Sequence, residues 1–328
     1  ELKQRKPKVK IIFWSHNYFN AHIAAKISKE SCIVANVFVS KQMYDFYYDH
    51  DIINKSTYIF NPVVDNQVNI KRCFEPHTAV YMGSIVEEKG ILHWLKLWQI
   101  VLKKYPDAVL KIIGKGTIYS SRNIQPGKFG IASENLEKKM IPFLCAEDGT
   151  LKKNYELLGI LGKEKYDVFR KCAVGIVNPS AKTETFGLGI IEMATVGLPV
   201  VTKCWNGHLD TVKNGETGLM ALSLSGMAKC IIRLFEDEKL NARLGFNAKE
   251  QVKIYDPQQI AQRWYDLFCL LAANEQINHL RLSYPWWNNY KILRYLNSKL
   301  RFKLGLNFLP TIVSLETMVN DFLKKLKH

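Results

Sequence analysis

Short apolar runs alternate with segments of helical periodicity through the middle of the chain. Thr78–Met82 and Val109–Ile113 have the length and composition of buried strands, and residues 91–104 between them carry apolar side chains at a helical spacing. The alternation continues through Leu157–Ile160 and Ala173–Val177. Strands that alternate with helices in this way predict a parallel, doubly wound sheet.

The residues on either side of this region have patterns of their own. Strands are predicted at Lys10–Ser15 and Cys32–Val39, residues 63–77 form a mixed polar linker, and helical spacing returns from about 226 to 272. We therefore divide the chain into three parts, which are a partial N-terminal α/β domain over 1–75, a second α/β domain over 76–255, and C-terminal helices with a tail over 256–328.

One strand–loop–helix–strand unit, Ala173–Thr202, combines two acidic residues with a helix N-terminus. Glu184 lies in the loop, and Glu192 lies in a helix predicted from about residue 188 to 196. Ligands of doubly wound sheets bind at the carboxyl ends of the strands, where such loops meet the helices. Free backbone N–H groups at this helix start form a predicted anion site, at Phe186, Gly187 and Leu188.

The spacing of the two glutamates indicates the kind of ligand. Glu184 and Glu192 would lie about two turns apart in a helix, so both carboxylates could reach one bound molecule. A phosphate on the amides, with a polyol at each end of the molecule, describes a sugar nucleotide. The alternative is that Glu184 only stabilises the helix, because acidic residues near helix N-termini are common.

Charge and cysteine content narrow the choice of partner and compartment. The chain has 46 Lys and Arg against 30 Asp and Glu, a net charge of +16, which favours an anionic partner such as a phosphorylated substrate, an anionic membrane or nucleic acid. Its seven scattered cysteines lack a Cys-x-x-Cys pair, which indicates reduced thiols in the cytoplasm and argues against a zinc site. We see no signal peptide and no membrane-spanning run. Because the sequence starts with Glu1, we expect the natural N-terminus to lie upstream.

The tail, residues 273–328, differs in character from the rest of the chain. It has nine basic residues against three acidic ones, interleaved with aromatic residues such as Trp286 and Trp287. This composition suits peripheral contact with an anionic membrane, where Trp and Tyr lie at the level of the headgroups. The alternative is a helical cap that packs on the body of the protein and exposes a solvated basic face.

The segment from Glu184 to Glu192, Glu-Thr-Phe-Gly-Leu-Gly-Ile-Ile-Glu, resembles the signature of the family-four retaining glycosyltransferases. That family has two glutamates separated by seven residues, with Phe-Gly just after the first. Further segments resemble the family and occur in the same order along the chain. They are 81–90 with Glu-Glu-Lys-Gly, 105–116 with Pro-Asp and Gly-Lys-Gly, and 214–219 with Asn-Gly-Glu-Thr-Gly. The likeness covers roughly residues 11–272.

The resemblance implies an α/β protein of the GT-B fold, with two doubly wound Rossmann-like domains, the N-terminal one incomplete, plus a C-terminal helical tail. It also implies a role for each matching residue. The catalytic residues would be Lys89 at the leaving diphosphate, Glu184 at the transferred sugar, and His16 facing that sugar, although a structural, hydrogen-bonded histidine is the competing interpretation of His16. The donor-binding residues would be Glu192 at the ribose, Gly159 and Ile160 beside the base, the amides of Phe186, Gly187 and Leu188 at the distal phosphate, and Ser84.

Two departures from the family pattern affect this reading. Ser84 stands where the family usually has a second diphosphate-binding arginine, and Lys89 acts alone unless another basic residue such as Lys115 substitutes. The N-terminal domain is also short, since only about 65–75 residues precede the linker, against the usual size of a domain.

The predicted function is that of a retaining glycosyltransferase that uses a nucleotide-diphospho-sugar and a glycan or lipid-linked acceptor. The resemblance implies no cofactor and no metal, and we expect no nucleic acid partner. Three alternatives remain, which are a sugar-nucleotide-binding protein without turnover, a nucleotide-sugar epimerase of the same fold, and a basic nucleic-acid binder supported by charge alone.

Overall fold

The chain forms two compact units in the computed structural model, which describes residues 9–64, 72–116, 126–180 and 183–326. One unit combines Glu1–Asn61 with Pro257–His328, and the other is Pro62–Asp256. This division differs from the predicted one, because the second unit starts before residue 75 and the C-terminal segment joins the first unit. Part of the predicted linker, 65–71, lies outside the described residues.

The first unit contains a three-stranded parallel sheet. Its strands follow one another in the order β1-β2-β3, and two helices connect and cover them. Ser40 caps the second helix as its position in the sequence predicts, because its hydroxyl accepts a hydrogen bond from the Met43 amide at 3.1 Å. The elements are β1 (Ile11–Ser15), α1 (Ala21–Lys29), β2 (Ile33–Phe38), α2 (Lys41–Phe46) and β3 (Ser56–Tyr58).

Apolar packing explains why the C-terminal segment belongs to this unit. Helix α10 (Pro257–Ala272) buries Ile260, Leu267 and Leu271 in a cluster with Ala35 and Val37 of β2. Two further helices follow, α11 (Lys291–Ser298) and α12 (Ile312–Lys325). No helix in the described part of the chain is long and apolar enough to cross a membrane.

The second unit is built on a six-stranded sheet whose neighbouring strands are all parallel. Its strands are β4 (Thr78–Met82), β5 (Val109–Ile113), β6 (Tyr155–Gly159), β7 (Val174–Ile176), β8 (Val200–Lys203) and β9 (Gly218–Ala221). Their order in the sheet is β6-β5-β4-β7-β8-β9, so the chain starts in the centre, moves to one edge, and then returns to the centre to build the other half. The order reverses between β4 and β7, and the carboxyl ends of those two strands are where doubly wound sheets bind ligands.

The elements of the second unit follow the alternation that the sequence predicts. They are β4 (Thr78–Met82), α3 (Ile91–Lys104), β5 (Val109–Ile113), α4 (Glu134–Leu144), β6 (Tyr155–Gly159), α5 (Lys165–Arg170), β7 (Val174–Ile176), α6 (Leu188–Thr195), β8 (Val200–Lys203), α7 (His208–Thr211), β9 (Gly218–Ala221), α8 (Leu224–Glu236) and α9 (Glu238–Gln251).

Helix α3 anchors the loop that follows β7. Its indole side chains Trp94 and Trp98 are fully buried in the core of the second unit. The Trp94 indole N–H donates a hydrogen bond of 2.7 Å to the carbonyl of Val177, one residue beyond β7. Because both indoles are locked in the core, this bond fixes the start of the loop that carries Glu184.

Candidate functional site

A crevice of about 220 Å³ opens at the carboxyl ends of β4 and β7, where the strand order reverses. Residues after β4 form one wall, and the loop after β7 with the start of α6 forms the other. Of the predicted site residues, five line it, which are Ser84, Lys89, Glu184, Gly187 and Leu188. The structure thus brings together Lys89 and Glu184, which are 95 residues apart in the sequence.

The carboxylate of Glu184 joins the two walls. Its Oε1 accepts a hydrogen bond from the Gly187 amide at 3.0 Å, and its Oε2 accepts one from Lys89 Nζ at 3.3 Å. The Gly187 amide is therefore not free in this structure, which corrects the prediction that three open amides form the anion site. The geometry nevertheless shows that a negatively charged group is held between the lysine and the helix start.

Two glycines shape the backbone around this carboxylate. Gly187 caps α6 with φ of 90°, a left-handed conformation that glycine adopts without strain. At Gly207, a Cβ atom would lie 2.5 Å from the Phe186 amide nitrogen, so a larger residue would push the two loops apart. The Phe186 side chain is buried and packs edge-on against Tyr255, with ring centroids 5.5 Å apart. Phe186 thus anchors the loop, and its amide remains the part predicted to meet phosphate.

Glu192 lies on α6 and is bound by a different lysine. Its Oε1 accepts a hydrogen bond of 2.7 Å from Lys165 Nζ, and both side chains are mostly buried. Because α6 begins at Leu188, Glu184 precedes the helix, and the two glutamates are not successive positions on one helical face. Sequence reasoning missed Lys165, since nothing in its local pattern distinguishes it from other surface lysines at a helix start.

A buried histidine supports the loop from the interior of the second unit. His208 Nδ1 lies 2.7 Å from the Thr202 hydroxyl, and burial lowers the pKa of His208, so its imidazole is neutral at physiological pH. Its Nε2 has no hydrogen-bond partner among the described residues. The Cδ2 atom of its ring would lie 3.4 Å from a Cβ atom at Gly187, which places the imidazole directly behind the helix start. The one sequence signal for His208 is the Asn206-Gly207-His208 turn directly after β8.

The remaining predicted residues lie elsewhere. Gly159 ends β6 in a left-handed conformation, and its carbonyl accepts a hydrogen bond from the Gly114 amide at 2.7 Å. Ile160 follows it and is 61% exposed. His16 follows β1 in the first unit, where its ring lies 4.4 Å from that of Trp14 and burial lowers the pKa of its imidazole. Neither Gly159, Ile160 nor Glu192 lines the crevice.

The first unit contains one Asp-x-Asp sequence, a spacing found in metal sites, at Asp49-His50-Asp51. Asp49 faces Arg294 and Asp51 faces Arg301, at 3.4 and 3.0 Å. These carboxylates therefore serve to pack the C-terminal helices. Within the residues that the structure describes, no group of three or more His, Cys, Asp or Glu side chains is arranged to hold a metal ion.

An open parallel sheet with a crevice at the point where its strand order reverses defines a Rossmann-like domain. Comparison with solved structures agrees. HepE from Anabaena, solved in complex with UDP and glucose, is 14% identical with a TM-score of 0.62, and the match covers 79% of this chain and 71% of HepE. Such structural likenesses show the GT-B fold, as the sequence predicted.

The family model for glycosyl transferases group 1 matches residues 69–251, and the chain belongs to that family. It is 25% identical over 193 residues to an uncharacterised glycosyltransferase of Haemophilus influenzae, which covers 58% of this chain and 48% of that protein. It is 26% identical over 189 residues to CapM, a capsular polysaccharide biosynthesis glycosyltransferase of Staphylococcus aureus, which covers 57% and 43%. The chain thus spans less than half the length of either relative. The finer assignment to family four stays a prediction.

Proposed function

We propose that the protein is a retaining, metal-independent glycosyltransferase that moves a sugar from a nucleotide-diphospho-sugar to a glycan or lipid-linked acceptor. The observation that carries this proposal is the Glu184 carboxylate held between Lys89 and the Gly187 amide at the switch-point crevice. A carboxylate and a phosphate oxygen are both anionic acceptors of hydrogen bonds, so the donors that hold one can hold the other.

Donor binding would exchange one anion for the other. The diphosphate takes the Lys89 ammonium and the amides at the start of α6, and Glu184 turns toward the hydroxyls of the transferred sugar. Glu192, held in place by Lys165, accepts hydrogen bonds from the ribose. The HepE structure contains UDP, which supports a nucleotide as part of the donor. CapM, named for capsular polysaccharide biosynthesis, supports a glycan or its lipid-linked precursor as acceptor.

The chemistry would place Lys89 at the developing charge. The bond between the anomeric carbon and the diphosphate breaks, the sugar passes through an oxocarbenium-like transition state, and the electron pair leaves with the phosphate oxygen. Lys89 and the dipole of α6 stabilise that charge, which is the role a metal ion has in other transferases. The acceptor attacks the same face of the sugar and gives its proton to the departing phosphate oxygen. We propose no cofactor, no nucleic acid partner and a site of action at the cytoplasmic face of a membrane.

A sugar-nucleotide-binding protein without turnover is the second candidate, and one observation favours it. Ser84 lines the crevice where the family usually has an arginine, so Lys89 is the one cation among the described residues that line it. An epimerase would act on the donor without an acceptor. Binding with transfer supports the first proposal, binding alone supports the second candidate, and turnover without an acceptor supports the epimerase.

Thermal unfolding in the presence of UDP-, GDP- and ADP-sugars tests the proposal. A ligand that binds only the folded state at a hundred times its Kd adds about 2.7 kcal/mol of stability, so the matching nucleotide sugar should raise Tm clearly. The same shift is expected with EDTA present, because lysine and backbone amides supply the positive charge. If none of the three series shifts Tm, the crevice is not a donor site, and if EDTA abolishes the shift, metal independence is wrong.

A further inference from the structure

Helix α11 of the first unit has its charged residues inside and its apolar residues outside. Lys291 and Arg294 are fully buried. On the opposite side of the same helix, Ile292, Leu293 and Leu296 are 53%, 52% and 53% exposed. Surface helices of soluble proteins have the reverse arrangement, with apolar residues toward the core.

Ion pairs fix this inverted orientation. Lys291 Nζ lies 2.9 Å from an Asp45 carboxylate oxygen, and Arg294 contacts Asp49 at 3.4 Å and Glu316 at 2.9 Å. Buried charges of this kind are costly to separate, so α11 cannot roll to hide its leucines. The composition of the tail places these two cations on a basic surface. In the structure they are buried and form ion pairs within the first unit instead.

Helix α12 also exposes apolar residues. Its inner side buries Val313 and Thr317, and the Arg294–Glu316 ion pair holds it beside α11. Its other sides expose a row of large apolar residues. The outward apolar face, as we use the term, consists of Ile292, Leu293, Leu296, Leu315, Met318, Val319, Phe322 and Leu323, which are between 43% and 65% exposed.

Basic and aromatic side chains accompany the outward apolar face. Lys303 ends the π-helical segment Lys299–Lys303 that follows α11, and Lys324 and Lys325 lie at the end of α12, all three exposed. Trp286 and Trp287, just before α11, are each 43% exposed. Apolar side chains with basic and indole neighbours match the layers of a bilayer interface, where acyl chains lie below anionic headgroups.

We propose that the outward apolar face inserts into the interface of an anionic lipid bilayer and docks the protein peripherally on it. Charge favours this occupant over a second copy of the chain, since a symmetric contact through this face would bring like lysines together. The proposal rests on the first unit alone and holds whether or not the second unit transfers sugar. If it does, the membrane is where a lipid-linked acceptor would be found.

Co-sedimentation with lipid vesicles tests this docking. We expect the protein to pellet with vesicles of three parts phosphatidylcholine to one part phosphatidylglycerol, and far less with phosphatidylcholine alone. Replacing both Lys324 and Lys325 with alanine should lower the partition coefficient on anionic vesicles by about 25-fold, at about fivefold for each lysine. Raising the salt should weaken wild-type binding, because salt screens exposed charges.

A polar variant of the apolar face separates insertion from simple charge attraction. Leu293→Gln combined with Leu296→Gln should reduce binding at least tenfold, whereas Phe246→Gln, at a residue 68% exposed on α9 of the other unit, should leave it unchanged. All variants should keep the wild-type Tm, since the replaced side chains are exposed. Docking on lipid is wrong if the wild type does not pellet with anionic vesicles or if the leucine variant binds as well as the wild type. It is also wrong if size-exclusion chromatography shows a dimer that the leucine variant dissociates, because the face then binds a second copy.

Discussion

Replacing Lys89 with methionine should lower the turnover number of the transferase by a factor of about a hundred to a thousand, the usual cost of losing one preorganised group at a developing charge. Among the described residues that line the crevice, Lys89 is the only cation, and Ser84 offers no second one. Methionine keeps most of the volume of the lysine stem but removes the ammonium. The measurement is the initial rate of sugar transfer at saturating nucleotide sugar and acceptor.

A nearby lysine provides the matched control for this experiment. Lys139 is exposed and pairs with Glu87 at 3.1 Å, outside the lining of the crevice. Lys139→Met should retain wild-type turnover, so a general effect of lost positive charge would be visible in both variants. Near-normal turnover of Lys89→Met would remove Lys89 from the departure of the diphosphate. An unchanged Tm should accompany the loss of rate, because Glu184 keeps its hydrogen bond from the Gly187 amide.

Replacing Arg294 with alanine should lower the free energy of unfolding of the first unit by about 3–5 kcal/mol. The guanidinium is fully buried, donates 2.7 Å to the Asn289 carbonyl, and lies 4.3 Å from the centre of the Phe46 ring. Its removal leaves the buried Asp49 carboxylate without its arginine partner, and an uncompensated buried charge is costly.

Urea unfolding followed by circular dichroism measures this loss, with Lys299→Ala as the control. Lys299 lies next to the same helix and no ion pair with an acidic side chain is seen for it among the described residues, so its removal should change stability by less than about 0.5 kcal/mol. If Arg294→Ala costs less than about 1 kcal/mol, these ion pairs do not maintain the inverted orientation of α11.

The parallel sheet of the second unit was predictable because its strands are buried on both sides. A strand such as Thr78–Met82 is then almost wholly apolar and stands out between polar turns. The helix start at Leu188 was predictable too, since Gly187 and the acidic residue before it are local signals. Pairings between distant residues were not. Lys165 reaches Glu192 across 27 positions, and no periodicity marks that contact.

The C-terminal helices show a different limit of sequence reasoning. The apolar side of a surface helix usually faces the core, because burial of apolar area is the usual driving force. Here the buried carboxylates of Asp45 and Asp49 lie in the interior of the first unit and bind the basic side of the helix. Asp49 and Arg294 are 245 residues apart in the sequence. Aspartates of the α2 region carry no local sign of such partners, so the inversion appears only in three dimensions.

Calorimetric titration of the nucleotide sugar selected by thermal unfolding, into wild-type protein and Glu192→Gln, tests the donor site most directly. Glu192→Gln should weaken binding by about 10- to 100-fold, since a hydrogen bond to a charged group contributes about 1.5–3 kcal/mol. Glu250→Gln, an exposed change on α9, should bind like the wild type. Equal affinity of Glu192→Gln and wild type would contradict the assignment of the switch-point region as the donor site.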